Sequence, residues 1–145
     1  MTAFLLDVNV LVALMWPTHE SHVRAQEWFA RSARRGWATC PMTQAGFARI
    51  VSNPSFSPDA VSPPEAVRLL ATNLEHRQHR FWPDDLTLAD ATERFRKTLG
   101  GHRQFTDAYL LALAIHRKGK LATLDRAIAS LLPQEGREQG AIELI

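Results

Sequence analysis

Phe4-Leu5-Leu6-Asp7-Val8-Asn9-Val10-Leu11-Val12-Ala13-Leu14 is the stretch on which the reading of the fold turns. It is apolar almost throughout, yet a carboxylate sits in its middle. A buried Asp is costly to desolvate unless it is paired, hydrogen-bonded or bound to a cation. The simplest arrangement makes Ala3 to Leu6 a buried strand that stops at Asp7, with a short helix from Val8 to Met15 ended by Trp16-Pro17. Asp7 then stands at the carboxyl end of the strand, where open α/β sheets place their ligands. On this stretch alone an N-cap is the slightly better explanation of Asp7.

Working outward, the same grammar recurs. Thr18 is placed to cap a helix from His19 to Arg34 with Val23, Trp28 and Phe29 inward, and Gly36 sits where glycine closes helices. Trp37 to Cys40 reads as a strand stopped by Pro41, and Thr43 as the cap of a helix from Gln44 to Val51. Asn53 to Pro58 is turn-rich loop. Pro63-Pro64-Glu65 opens a helix that runs to Leu74. Arg80 to Trp82 is a brief strand, and Leu86 to Leu99 an amphipathic helix closed by Gly100-Gly101. Gln104 to Arg117 is nearly all apolar in its middle, which marks a central buried helix. Lys120 to Leu124 is a strand delivering Asp125, Arg126 to Leu132 a short helix, and Ala141 to Ile145 an edge strand. Strands alternating with helices predict a parallel sheet covered on both faces, a three-layer α/β/α sandwich formed as one domain over residues 1–145.

Composition narrows the class. The 145 residues are 46% hydrophobic and 22% charged, the balance of a globular domain. No apolar run reaches the ~18 residues of a membrane span. No Lys or Arg precedes the first apolar run and Asp7 interrupts it, so it does not read as a signal peptide. Cys40 is the only cysteine, which excludes an internal disulfide and a cysteine-rich zinc site. A cytoplasmic location is the expectation.

Net charge is only +2, but the basic residues are clustered, at Arg24, Arg31, Arg34 and Arg35, at His76 to Arg80, at Arg94 to Arg103, and at His116 to Lys120. Such clusters are either solvated surface or an electrostatic footprint for nucleic acid. His19-x-x-His22 and His76-x-x-His79 have zinc-like spacing but lie in polar segments without a matched second pair, so they are read as surface. Trp16, Trp28, Trp37 and Trp82 are read as core or interface.

Three acids share one description. Asp7 and Asp125 each follow an apolar strand and precede a helix, and Asp107 lies in the first turn of the central helix behind Gln104 and Thr106. In a right-handed parallel sandwich these positions converge at one end of the sheet. Three carboxylates without a neighbouring base or cysteine describe a hard-cation site, and Mg²⁺ combines a few carboxylates with waters and substrate phosphates. Asn9, Gln44, Thr106 and Thr123 are the candidate supporting residues. A receiver-type signalling domain also uses carboxylates at sheet ends, but it needs paired acids after its first strand. Here Asp84-Asp85 follows the third.

Leu5-Leu6-Asp7-Val8-Asn9-Val10-Leu11 resembles the opening motif of PIN-domain ribonucleases, and Thr106 to Ala114 and Leu121 to Asp125 are similar to their third and fourth motifs. Order and spacing match over nearly the whole chain, most closely in the short VapC-type toxins of VapBC toxin–antitoxin pairs. The resemblance implies strand order 3-2-1-4-5 and Mg²⁺- or Mn²⁺-dependent endoribonuclease activity that hydrolyses RNA with a metal-activated water. It implies a homodimeric toxin with a cognate VapB-type antitoxin, and Asp7, Asp107 and Asp125 as the acidic cluster. One departure stands out. The family usually carries a glutamate early in the third helix, where this chain has Gln44 or Gly46. A neutral Gln44 can still hold a metal-bound water, and the departure also admits a second reading, a catalytically weakened PIN fold that binds RNA or a partner.

Overall fold

The computed structural model describes residues 2–133 and 138–145. Five short strands, β1 (Phe4–Leu6), β2 (Trp37–Thr39), β3 (His79–Phe81), β4 (Lys120–Thr123) and β5 (Ile142–Leu144), form one parallel sheet in the order β3-β2-β1-β4-β5. The expected order 3-2-1-4-5 and the sandwich are therefore observed. Among the described residues, six α-helices connect and cover the strands: α1 (Val8–Met15), α2 (His22–Ser32), α3 (Pro41–Val51), α4 (Pro63–Leu74), α5 (Leu88–Glu93) and α6 (Phe105–His116).

The period of two in β1 splits the core between the faces. Phe4 and Leu6 pack with Val10, Leu11, Trp28 and Phe47 beneath α1–α4, while Leu5 packs with Leu110, Leu113, Leu121 and Phe95 on the α5–α6 side. Burial on both faces explains why the strand reads as a continuous apolar run. α6 is buried from Ala108 to Ala114 because neighbours surround it: α5, the strands β1 and β4, and the 3₁₀ turns Arg126–Leu131 and Gln139–Ala141.

Several local expectations are corrected. α3 begins at Pro41, because proline suits the first helical position, where its missing N–H is not needed. Thr43 sits one turn in, with Oγ1 accepting from the Cys40 N–H at 3.0 Å. Leu86 to Leu99 is not one helix: α5 stops at Glu93, and the chain continues in turns that bury Phe95. There the Thr98 hydroxyl donates to the Leu131 carbonyl at 2.8 Å, drawing the segment toward a distant element instead of its own helical ladder. α2 begins at His22 instead of His19, and Val23 is 67% exposed while Ala25 and Trp28 face inward. All four tryptophans are buried, as expected of core residues.

Candidate active site

The register of β1 on β4 builds the site. Leu6 pairs with Ala122, and the Asp7 N–H donates to the Ala122 carbonyl at 2.9 Å, so Asp7 and Thr123 leave the sheet side by side. Asp7 caps α1 through Oδ1, which accepts from the Val8 N–H at 2.7 Å. Its Oδ2 accepts from the Thr123 hydroxyl at 2.7 Å. Thr123 Oγ1 in turn accepts from the Asp125 N–H at 3.0 Å. Asn9 bridges the same groups: its Nδ2 reaches Thr123 Oγ1 at 3.4 Å and Asp7 Oδ2 at 3.5 Å, and its Oδ1 accepts from the Leu124 N–H at 3.2 Å. Asp125 caps the turn that follows it, accepting from the Ala127 N–H at 2.9 Å. Asp7 and Asp125 are thus both caps, and both are tied to the Thr123 hydroxyl.

Asp107, in the first turn of α6, completes the constellation differently. It accepts no hydrogen bond from the described residues, and burial, then the charges of Asp7 and Asp125, push its carboxyl up to about 6. Asp7 is also raised, by burial first and by Asp125 last, against the lowering bonds from Thr123 and Val8. These mutual shifts place the three acids within electrostatic reach of one another. Among the described residues, no three His, Cys, Asp or Glu side chains are already gathered at metal-binding spacing. The donor set is nevertheless all oxygen, negatively charged and destabilised by its own repulsion, which is the chemistry a hard divalent cation satisfies.

The remaining candidates divide. Asn9 and Thr123 lie inside the network. Thr106 is exposed and its hydroxyl forms no hydrogen bond among the described residues, so it is not drawn in. Gln44 is half-buried and donates through Nε2 to Thr39 Oγ1 at 2.9 Å. At Gly46 a Cβ would lie 2.7 Å from Val8 Cγ2, so any side chain there requires Val8 to shift. The histidines are not free surface groups. His22 Nδ1 meets the Ala13 carbonyl at 2.7 Å, His76 Nδ1 accepts from Trp37 Nε1 at 3.2 Å, and His79 Nε2 lies 2.8 Å from Thr39 Oγ1. Thr39 escaped the sequence reading. A signal was there: Ala38-Thr39 and Ala122-Thr123 end the two strands that flank β1, and both threonines are fully buried.

The PIN domain family model matches residues 4–131. Ribonuclease VapC39 of Mycobacterium tuberculosis is 46% identical over 129 residues, 89% of this chain and 92% of that protein. Ribonuclease VapC38 of the same organism is 43% identical over 141 residues, covering 97% and 96%. Among solved structures, VapBC2 from Rickettsia felis bound to a promoter DNA fragment superposes with TM-score 0.66 at 15% identity, covering 99% of each chain. FitAcB from Neisseria gonorrhoeae superposes with TM-score 0.63 at 19% identity, covering 96% and 95%. The chain belongs to the PIN domain family, on the branch of the VapC ribonucleases.

Proposed function

We propose that this protein, as a single PIN domain over residues 1–145, is a divalent-metal-dependent endoribonuclease and the toxin of a type II toxin–antitoxin pair. The observation that supports the reading is the mutual electrostatic influence of Asp7, Asp107 and Asp125 at the carboxyl end of the sheet, where burial first and then the charges of Asp7 and Asp125 raise the Asp107 carboxyl to about 6. Mg²⁺, or Mn²⁺ in its place, supplies Lewis-acid polarisation of the phosphodiester and a more acidic water. Asp7, Asp107 and Asp125 are the residues that would hold that ion. Thr123 and Asn9 fix the Asp7 carboxylate and the Ala127 N–H holds Asp125, while the Asp107 carboxylate accepts no hydrogen bond among the described residues.

A VapB-type antitoxin and a second copy of the chain are the proposed partners. The relatives' names and the VapBC2 structure support the first. Exposed apolar side chains such as Val67 (57%) and Phe81 (55%) supply surface for protein contacts. No helix among the described residues is long and apolar enough to cross a membrane.

Cleavage of RNA by purified protein in Mg²⁺ and in Mn²⁺ tests the proposal. Asp7→Asn and Asp107→Asn should each lose more than about 100-fold in rate, beyond the loss typical of disturbing a ligand's support. Asp59→Asn, in an exposed loop, should cleave like wild type. RNA binding without cleavage in either metal would replace the nuclease by the weakened, binding-only PIN fold.

A further inference from the structure

Asn9 belongs to two places at once. Its amide is spent on the acidic network, with Nδ2 reaching Asp7 Oδ2 and Thr123 Oγ1 and Oδ1 accepting from the Leu124 N–H. The same residue is a wall of an open cavity of about 320 Å³. The other walls are Val12 on α1, His19 in the turn after it, Ile50 on α3, and Asn53 and Phe56 in the loop that follows. A tight turn holds the last two together, the Phe56 N–H donating to the Asn53 carbonyl at 2.9 Å. The Phe56 ring rests against the buried Trp16, centroids 5.6 Å apart, yet stays 36% exposed. A ring anchored on a core tryptophan thus still offers surface for stacking.

Hydrogen counting gives the cavity its polarity. His19 Nδ1 accepts from the Ser21 N–H at 3.0 Å, so the proton of the neutral ring sits on Nε2, which has no partner among the described residues. Asn53 Oδ1 accepts from the Ser55 N–H at 2.9 Å. A backbone N–H requires the oxygen there, so the two amide hydrogens of Asn53 are left over. With Asn9 committed to the acids, the side-chain groups left to serve a ligand are donors, set among Val12, Ile50 and Phe56.

Donors beside an exposed aromatic ring suit a planar group with acceptors on its edge, which is how proteins hold the bases of single-stranded RNA. The cavity lies at the small end of ligand pockets, roughly 300–1,000 Å³. One turn of an α-helix, about 10 Å across and about 5.4 Å high, fills about 420 Å³ and is too large to enter. An apolar side chain of a protein partner would leave both donors unsatisfied. Guanine presents two neighbouring acceptors, N7 and O6, where adenine sets a donor beside N7.

We infer that this cavity is a nucleobase subsite of the acidic centre, taking an unpaired guanine that stacks on Phe56 and accepts from His19 and Asn53. Asn9 joins the subsite to Asp7, so the seated base sets which phosphate reaches the acids. The inference rests on the proposed nuclease for that link to cleavage, whereas binding of the base does not need it.

NMR titration of the full chain in EDTA with the four nucleoside monophosphates tests the subsite without metal or cleavage. All four carry the same phosphate, so differences among them report the base. The guanosine form should shift the Asn53 side-chain amide, the His19 ring and the Trp16 indole, and bind at least about fivefold tighter than the adenosine form. Equal affinities, or shifts confined to other residues, would overturn the subsite. Silence of all four would do the same and leave the cavity to a protein partner. Asn53→Asp keeps the oxygen that Ser55 uses and exchanges the donor for an acceptor. It should abolish the guanine preference; weaker binding of all four with the preference intact reports only the added charge and would overturn the reading. Phe56→Leu, which keeps an apolar contact for Trp16, should weaken the guanosine form at least about fivefold, and unchanged binding would overturn stacking. RNA cleavage without the preference removes the subsite and leaves the nuclease, while the preference without cleavage does the reverse.

Discussion

Thr123 holds the carboxylate of Asp7 across 116 residues of sequence, its hydroxyl donating to Oδ2 at 2.7 Å while its oxygen accepts from the Asp125 N–H. One fully buried hydroxyl thereby joins two of the three acids. Asp7 is itself only 7% exposed, and the Thr123 bond is the largest influence opposing the rise that burial imposes on its pKa.

Thr123→Val should therefore do more damage than its nearly unchanged volume suggests. It leaves Asp7 Oδ2 with the long Asn9 contact and the Asp125 N–H without its hydroxyl partner. The expected loss is about 1–3 kcal/mol of stability at neutral pH. Asp7 moves further up in this variant, so protonation relieves it and the deficit should shrink as pH falls. Thr123→Ser should keep most of the stability and the cleavage rate. Thermal melts of the three proteins at several pH values check the point, and a Val variant as stable as wild type at pH 7 would remove Thr123 from the site.

Gly46 governs how closely α3 approaches α1. Replacing a helical glycine by alanine ordinarily gains about 1 kcal/mol. Here the new Cβ would lie 2.7 Å from Val8 Cγ2, on a β-branched side chain with little rotamer freedom in a helix. Gly46→Ala should lower stability by about 1–2 kcal/mol, roughly 3–6 °C in a chain of this size. Val8→Ala in the same protein should recover most of the clash component. A double-mutant cycle showing no coupling would mean that the helices part without cost.

Much of the site was legible in the sequence, and the reason is local. An apolar strand that ends on Asp, followed at once by a helix, is visible at Asp7 and at Asp125 without any tertiary knowledge. The all-round apolar run of α6 likewise announces a buried helix with Asp107 at its start. What stayed hidden depends on distant partners. The turns after Glu93 follow from a bond between Thr98 and Leu131. The anchoring of His76 on Trp37 and of His79 on Thr39 needs the pairing of β2 with β3. Val23 is apolar yet exposed, because the inward face of α2 is set by Ala25 and Trp28.

The basic clusters predict how RNA is held. Binding by an Asp7→Asn variant, which should retain the fold, is expected to weaken linearly in log Kd against log salt. The slope is about 0.7 per neutralised phosphate of a single strand. Charge reversal at Arg34 and Arg35, exposed at the end of α2, tests one cluster at a time. A slope unchanged by that reversal places the RNA elsewhere, and a flat salt dependence of the parent variant would reduce all the clusters to solvating surface.

Asp107 provides the sharpest test of whether the three acids form one centre. Its carboxyl sits at about 6 in the folded chain against 3.8 for the ordinary group, through burial first and then through Asp7 and Asp125. A raised carboxyl means that ionisation costs the native state more than the unfolded one. The penalty is absent below about pH 3.8, grows as pH rises, and is complete above about pH 6. Two pH units correspond to at most about 3 kcal/mol, and solvent screening at this half-buried site lowers that figure. Asp107→Asn removes the charge and keeps the shape. In EDTA at pH 7 it should melt above wild type, and the gap should close as pH falls toward 4. The opposing effect is the attraction of a helix N-terminus for negative charge, about 0.3–1 kcal/mol, which repulsion from two neighbouring carboxylates outweighs. Added Mg²⁺ or Mn²⁺ should reverse the order, because an ion that binds only the folded state stabilises by mass action and the wild type offers it one more charge. An Asp107→Asn protein that melts below wild type in EDTA and responds equally to metal would show that Asp107 serves its helix alone and that no three-carboxylate centre exists.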